Sequence, residues 1–221
     1  MSNNKKMNSI KIKKLQLEGV NFIDSDKVEI RGNLICDQGV EIDTNIIIEG
    51  EVNLGKSVKL GPNTIIRNSS IGSFSEIKAF SSLNNCKVGD YCMVGPYARL
   101  RTATSLDNKC QIGNFVEIKN SSIGKNCRIN HMAFVGDATL EDDVTIGAGT
   151  ITCNHNGLEI NKTLIESGAY IGSNVNLVAP VKVAKNATIG SGSTITKDVA
   201  EDKLTLARSE QITVEGWKGP K

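Results

Sequence analysis

Aromatic residues make up only 4% of this 221-residue chain, with a single Trp, and histidine occurs twice. A core so poor in rings must be filled by small aliphatic side chains, which points to a repeated architecture and makes internal repeats the first thing to look for. Charge of one sign is also lacking. The net charge is +2 with acids and bases nearly balanced, which excludes a general attraction for nucleic acid or an anionic membrane, so any bound anion must be held locally. No run of about eighteen apolar residues is present, so no helix is expected to cross a membrane. The opening MSNNKKMNSIKIKK has no apolar h-region of a secretory signal, and a cytoplasmic protein is expected. Metal-ligand spacing is missing as well. Cys36, Cys86, Cys92, Cys110, Cys127 and Cys153 include no CxxC pair. Four of them (Cys86, Cys92, Cys110 and Cys127) lie two places before an aliphatic residue, a position for a small core filler, not a metal ligand or disulfide partner.

What is present is a beat of six. From about Val40 an aliphatic residue returns at Ile42, Ile48, Leu54, Leu60 and Ile66, and after a one-residue slip at Ile71, Ile77, Leu83, Val88, Val94, Leu100, Leu106, Ile112, Ile118, Ile123, Ile129 and Val135. Many of these are followed by Gly. Six is neither a helical face nor a hairpin alternation. It fits a solenoid in which each hexad is a short strand and a corner, and three hexads close one triangular coil of about eighteen residues. The expected fold is all-β, a parallel β-helix of roughly nine coils and on the order of 45 Å long, given strands about 4.8 Å apart. The beat lapses over 154–162, NHNGLEINK, and resumes at Ile165. A single interruption of a solenoid is a candidate functional loop. The division expected is 1–25 as a tail with a short helix or strand around Ile10 to Val20, 26–199 as the solenoid, and 200–221 as a polar tail that caps the last coil or reaches a neighbour.

Three polar residues interrupt the beat region. Arg101 and Lys119 stand eighteen apart, each directly after a beat residue, so they stack one rung apart on the outer surface. That spacing suits a phosphate, although by itself it equally describes two solvated charges. His131 is the third, a side chain able to take a proton near neutral pH.

The segments VEIDTNIIIEG, GPYARLR, IGNFVEIK, IGAGTITCN, LVAPV and EGWK give the chain, from about Leu15 to Trp217, a resemblance to a known family. It resembles the acetyltransferase half of the bifunctional bacterial enzymes of UDP-N-acetylglucosamine biosynthesis, which join a glucosamine-1-phosphate N-acetyltransferase to an N-acetylglucosamine-1-phosphate uridyltransferase. These enzymes supply a precursor of peptidoglycan and lipopolysaccharide. The uridyltransferase half and its Gly-rich loop are not found in this sequence.

The resemblance implies a left-handed parallel β-helix, a hand that departs from the usual crossover rule, and a homotrimer with active sites in clefts between prisms. It implies acetyl-coenzyme A as co-substrate, no metal, and an amino-sugar phosphate as acceptor. His131 falls at the catalytic base and Glu117 at the carboxylate that orients it. Arg101, Lys119, Phe134, Thr145 and Asn154 fall at acceptor positions. Ala148, Asn154, His155, Ser173, Ser191 and Arg208 fall at donor positions, His155 through its main chain, where an N–H could face a developing oxyanion. Three positions depart: Phe134 replaces a Tyr, Thr145 an Asn and Ile160 a Lys, with Lys162 nearby. The departures leave open an acetyl transfer to another amino sugar or sugar nucleotide. A non-catalytic solenoid partnering a separate uridyltransferase is a third reading.

Overall fold

The computed structural model describes residues 3–218. One helix, α1 (Asn3–Leu17), precedes a succession of short strands that pair in parallel from Asn21–Phe22 to Leu204–Thr205. Eleven strands stack into one sheet, and a seventeen-stranded sheet covers the other two faces of a triangular prism. The stack of eleven exceeds the nine coils expected, because pairing begins before the hexads are legible and continues into the expected C-terminal tail. Two long early strands, Val28–Cys36 and Ile46–Leu54, lie flush over all nine residues and round a corner without a break. Gly32 and Gly50 make that corner possible: a Cβ on Gly32 would stand 2.1 Å from the Gly50 carbonyl oxygen, where no side chain fits.

The beat residues are the core. Val94, Ile112, Ile129, Ile146, Ile171 and Ile189 form one continuous column, each no more than 4% exposed, and each worth roughly 1.5–3 kcal/mol of burial. Two places before them, Cys92, Cys110 and Cys127 are buried. Their Sγ atoms reach the carbonyl oxygens of Asp107, Gly124 and Glu141 on the next rung at 3.0–3.1 Å. In the preceding rung Ser75 does the same with its hydroxyl, so the thiols are corner fillers with a weak polar contact.

The beat residues also show that laps differ in length. Val94 to Ile112 and Ile171 to Ile189 are eighteen residues, Ile112 to Ile129 and Ile129 to Ile146 seventeen, and Ile146 to Ile171, which contains the loop, twenty-five.

At each corner one residue adopts the left-handed conformation, so positive φ recurs along the chain. Asn and Asp bear this best. One corner column instead runs Asn63, Phe80, Tyr97, Phe115 and Met132, all at positive φ. Its rings stack with centroids 4.8 and 5.3 Å apart, a contact that offsets the backbone cost.

Helix α1 closes the open end. The apolar face is narrow: Ile12 and Leu15 are buried, whereas Ile10 is exposed. The Asn8 side chain donates to the Val28 carbonyl at 2.7 Å and accepts the Ile30 N–H at 2.8 Å, and Lys11 Nζ donates to the Gly32 carbonyl at 2.6 Å. The basic opening therefore pairs the otherwise bare edge of the first long strand, blocking edge-to-edge association. No helix among the described residues is long and apolar enough to cross a membrane.

Candidate active site

Two places after each beat residue of the column just described, the chain reaches an edge of the prism. There Asn114, His131, Ala148, Ser173 and Ser191 follow one another rung by rung. The spacing explains the order: each follows an inward Ile by two, with Gly at the intervening place in four of the five cases. His131 is exposed, and its Nδ1 lies 2.8 Å from Asn114 Oδ1. An amide oxygen only accepts, so it selects the tautomer with hydrogen on Nδ1 and leaves the Nε2 lone pair outward.

Above His131 the edge is lined by small groups. The Ser173 N–H donates to Ser191 Oγ at 3.1 Å, and Arg208 Nη1 donates to the Ser191 carbonyl at 3.1 Å. The corner alongside changes character at the same rung. After Phe115 and Met132 come Gly149, Asn174 and Gly192, all at positive φ, and nothing lies within 4 Å of where a Gly192 Cβ would be. A line of small residues, Ala148, Ser173 and Ser191, leads from the imidazole to the Arg208 guanidinium.

Around the corner lies the face that carries the cations. Leu100 and Ile118 are flush, and the Arg101 N–H donates to the Ile118 carbonyl at 2.8 Å, so Arg101 and Lys119 stand side by side one rung apart. Arg101 Nη1 meets Glu117 Oε1 at 2.8 Å, Arg99 Nη1 meets Glu117 Oε2 at 3.3 Å, and Lys119 Nζ lies 4.0 Å from Asp137 Oδ2. Three cations around two carboxylates leave a local positive charge suited to an anion. Within one chain Glu117 forks between Arg99 and Arg101 and makes no hydrogen bond to His131, whose Nδ1 meets Asn114 instead.

Phe134 follows Glu117 in register, and its ring lies over Gly136: a Cβ there would be 2.6 Å from Phe134 Cζ and 3.0 Å from Asn154 Nδ2. The position thus presents an apolar plate. Thr145 is on the eleven-stranded sheet, between Arg128 and Tyr170, and within one chain does not join Arg101 and Lys119. In the loop, His155 Nδ1 accepts the Gly157 N–H at 3.0 Å and Asn156 Oδ1 accepts two N–H groups. A bridge between His155 and Ile160 closes the loop, so Ile160 helps to build the turn. Cys153, two rungs from Lys119, is half-buried, and burial pushes its thiol up from the ordinary value, which makes it a poor nucleophile. Among the described residues no cluster of His, Cys, Asp and Glu could hold a metal.

Two residues of this site escaped the sequence reading. Asn114 precedes His131 by seventeen residues, one short of the expected lap, so a count of eighteen passes over it. Asp137, buried between Lys119 and Asn154, carried no signal beyond a Gly-Asp pair at a corner.

The chain is similar to known proteins along most of its length. The GMPPB C-terminal domain matches residues 30–121 and the bacterial transferase hexapeptide repeat matches 162–197. The bifunctional protein GlmU of Ralstonia pickettii is 48% identical over 203 residues, covering 92% of this chain and 45% of that protein. That of Azoarcus sp. is 45% identical over 207 residues, covering 94% and 46%. The chain thus spans about half the length of the curated relatives it matches. Among solved structures, LpxA from Acinetobacter baumannii overlaps with a TM-score of 0.39 at 19% identity, covering 82% of this chain and 71% of that one.

Proposed function

We propose, from the premise that this chain belongs to the hexapeptide-repeat transferases on the side of the GlmU acetyltransferase half, that it is an N-acetyltransferase. It moves the acetyl group of acetyl-coenzyme A to the amine of glucosamine 1-phosphate in the cytoplasm. The observation that carries this reading is the edge column: the imidazole heads a line of small residues and stands at the corner beyond which Arg101 and Lys119 lie side by side.

The chemistry follows from the residues. Arg101, aimed by Glu117, and Lys119 take the sugar phosphate, fixing the amine near the edge. The Nε2 lone pair of His131 accepts the proton as the amine attacks the thioester carbonyl, and Asn114 holds the ring in the required tautomer. The N–H of His155 is offered to the oxyanion. The thiol of coenzyme A then departs, its acetyl group now an amide. Ala148, Ser173 and Ser191 leave room for the pantetheine arm, and Arg208 meets a phosphate at its far end. No covalent enzyme intermediate is needed, in keeping with the raised Cys153 thiol.

A homotrimer completes this site. The position of Thr145 on a different face from Arg101 and Lys119 supports it, since a second prism set against the edge would bring its own copy of that face to the cations. Replacing His131 with Ala tests the mechanism: thiol release with glucosamine 1-phosphate should fall by about 10²–10⁴, with trimers and melting temperature retained. Unchanged turnover would remove the mechanism.

The Phe134 plate favours a second reading, an acceptor less polar near that contact. A thiol-release screen across amino sugars and amino-sugar nucleotides decides it, and a wide preference for glucosamine 1-phosphate removes the alternative.

A further inference from the structure

Asp137 has so far been counted only as a charge beside Lys119. Its side chain is 4% exposed, it sits at a corner with φ of 52°, and both carboxylate oxygens are engaged. Oδ1 accepts from Asn120 Nδ2, and Oδ2 accepts from Asn154 Nδ2 and faces Lys119 Nζ at 4.0 Å. The backbone lies at the same junction: Asp137 N–H donates to the Lys119 carbonyl at 3.0 Å, and the Asn161 N–H closes the foot of the loop onto the Asn154 carbonyl at 2.7 Å. A buried carboxylate with this many donors is held in place, and in turn holds them.

We propose that Asp137 is a positioning residue that balances the two substrates, anchoring Asn154 for the acetyl donor while tempering the charge that Lys119 offers to the acceptor's phosphate. The inference rests on the reading of the site given above. The two effects have opposite signs. Without the carboxylate, Asn154 loses its acceptor and the foot of the loop loosens, so the donor binds less well. At the same time an anion close to the phosphate position is removed, so phosphate binds better.

Asp137→Ala tests this at a corner whose backbone admits alanine: Ala103, in the same column two rungs below, already stands at φ of 61°. Acetyl-coenzyme A titrated by calorimetry should bind about tenfold more weakly, and inorganic phosphate titrated by ³¹P NMR about threefold more tightly. Asp137→Asn, which keeps the shape and one acceptor, should show the same gain for phosphate and a smaller loss for the donor. In the Asp137→Ala background, Asn154→Ala should cost clearly less donor affinity than it does in the wild type, since the two changes share one contact. A merely structural lesion weakens both ligands and gives additive losses, and that result overturns the inference. So do constants that stay within twofold of wild type. Wild-type protein that binds no acetyl-coenzyme A overturns instead the reading of the site, and this inference with it.

Discussion

Below His131 the corner of the prism is ringed; above it the same corner carries no ring. Phe80, Tyr97, Phe115 and Met132 wall the lower half, and Gly149, Asn174 and Gly192 take their place in the upper half, although the interior column of aliphatic residues runs unchanged through both. The difference teaches that a hexapeptide solenoid separates stability from function by layer. The inward residue of each hexad maintains the stack, and the corner residue is at liberty to become wall or track.

Closing the track should break the contrast most sharply. Ser191 is exposed on the upper edge, so Ser191→Phe should weaken acetyl-coenzyme A binding by about a hundredfold or more by steric exclusion, with the melting temperature unmoved. Binding within fivefold of wild type would show that the donor does not lie there.

The second test uses the interior, where the lower half holds Cys92, Cys110 and Cys127 and the equivalent upper positions hold Val144, Ala169 and Ala187. Burial pushes the thiols of Cys127 and of Cys86, in another lower column, up to about 11 from 9.0. The fold favours the protonated thiols, so this contribution is intact below pH 9 and is lost as pH rises through about 11, on the order of 2 kcal/mol per thiol. Denaturant midpoints should therefore fall between those values, and Cys86→Ala with Cys127→Ala should flatten the slope. An unchanged slope in the double variant means the thiols are not its source.

The wall itself comes next. Tyr97 stacks on both neighbours, and Tyr97→Ala should cost about 1–2 kcal/mol. Tyr97→Asn should cost less, because Asn accepts the left-handed backbone more readily. Equal losses would mean that the backbone contributes nothing to the difference. The smallest effect belongs above the loop, where Thr163 Oγ1 is buried without a partner. Thr163→Val should be neutral or stabilise by about 1 kcal/mol, read as a higher melting temperature, whereas a clear loss would reveal an unrecognised contact.

The position of Arg101 beside Lys119 was legible because their lap is eighteen residues. The partner of His131 was not. An eighteen-residue lap would set it over Gly113, but the lap here is seventeen and sets it over Asn114. The contacts of Glu117 within one chain were not legible either: two arginines within reach bind a carboxylate more strongly than a neutral imidazole does, and nothing in a linear reading ranks such partners. The helix was expected only loosely, because its buried face is two or three residues wide, too narrow to leave a period.

By itself the sequence determined the solenoid, its inward column, the single interruption and the residues able to carry charge or a proton, since all of these follow from which letter recurs at which spacing. Only the tertiary structure decided which polar groups meet, because adding or dropping one residue in a lap moves every outward side chain against its neighbour above while the inward column stays in register. Asn114 beneath His131, Asp137 between Lys119 and Asn154, and the change from ringed corner to ringless one are consequences of that freedom.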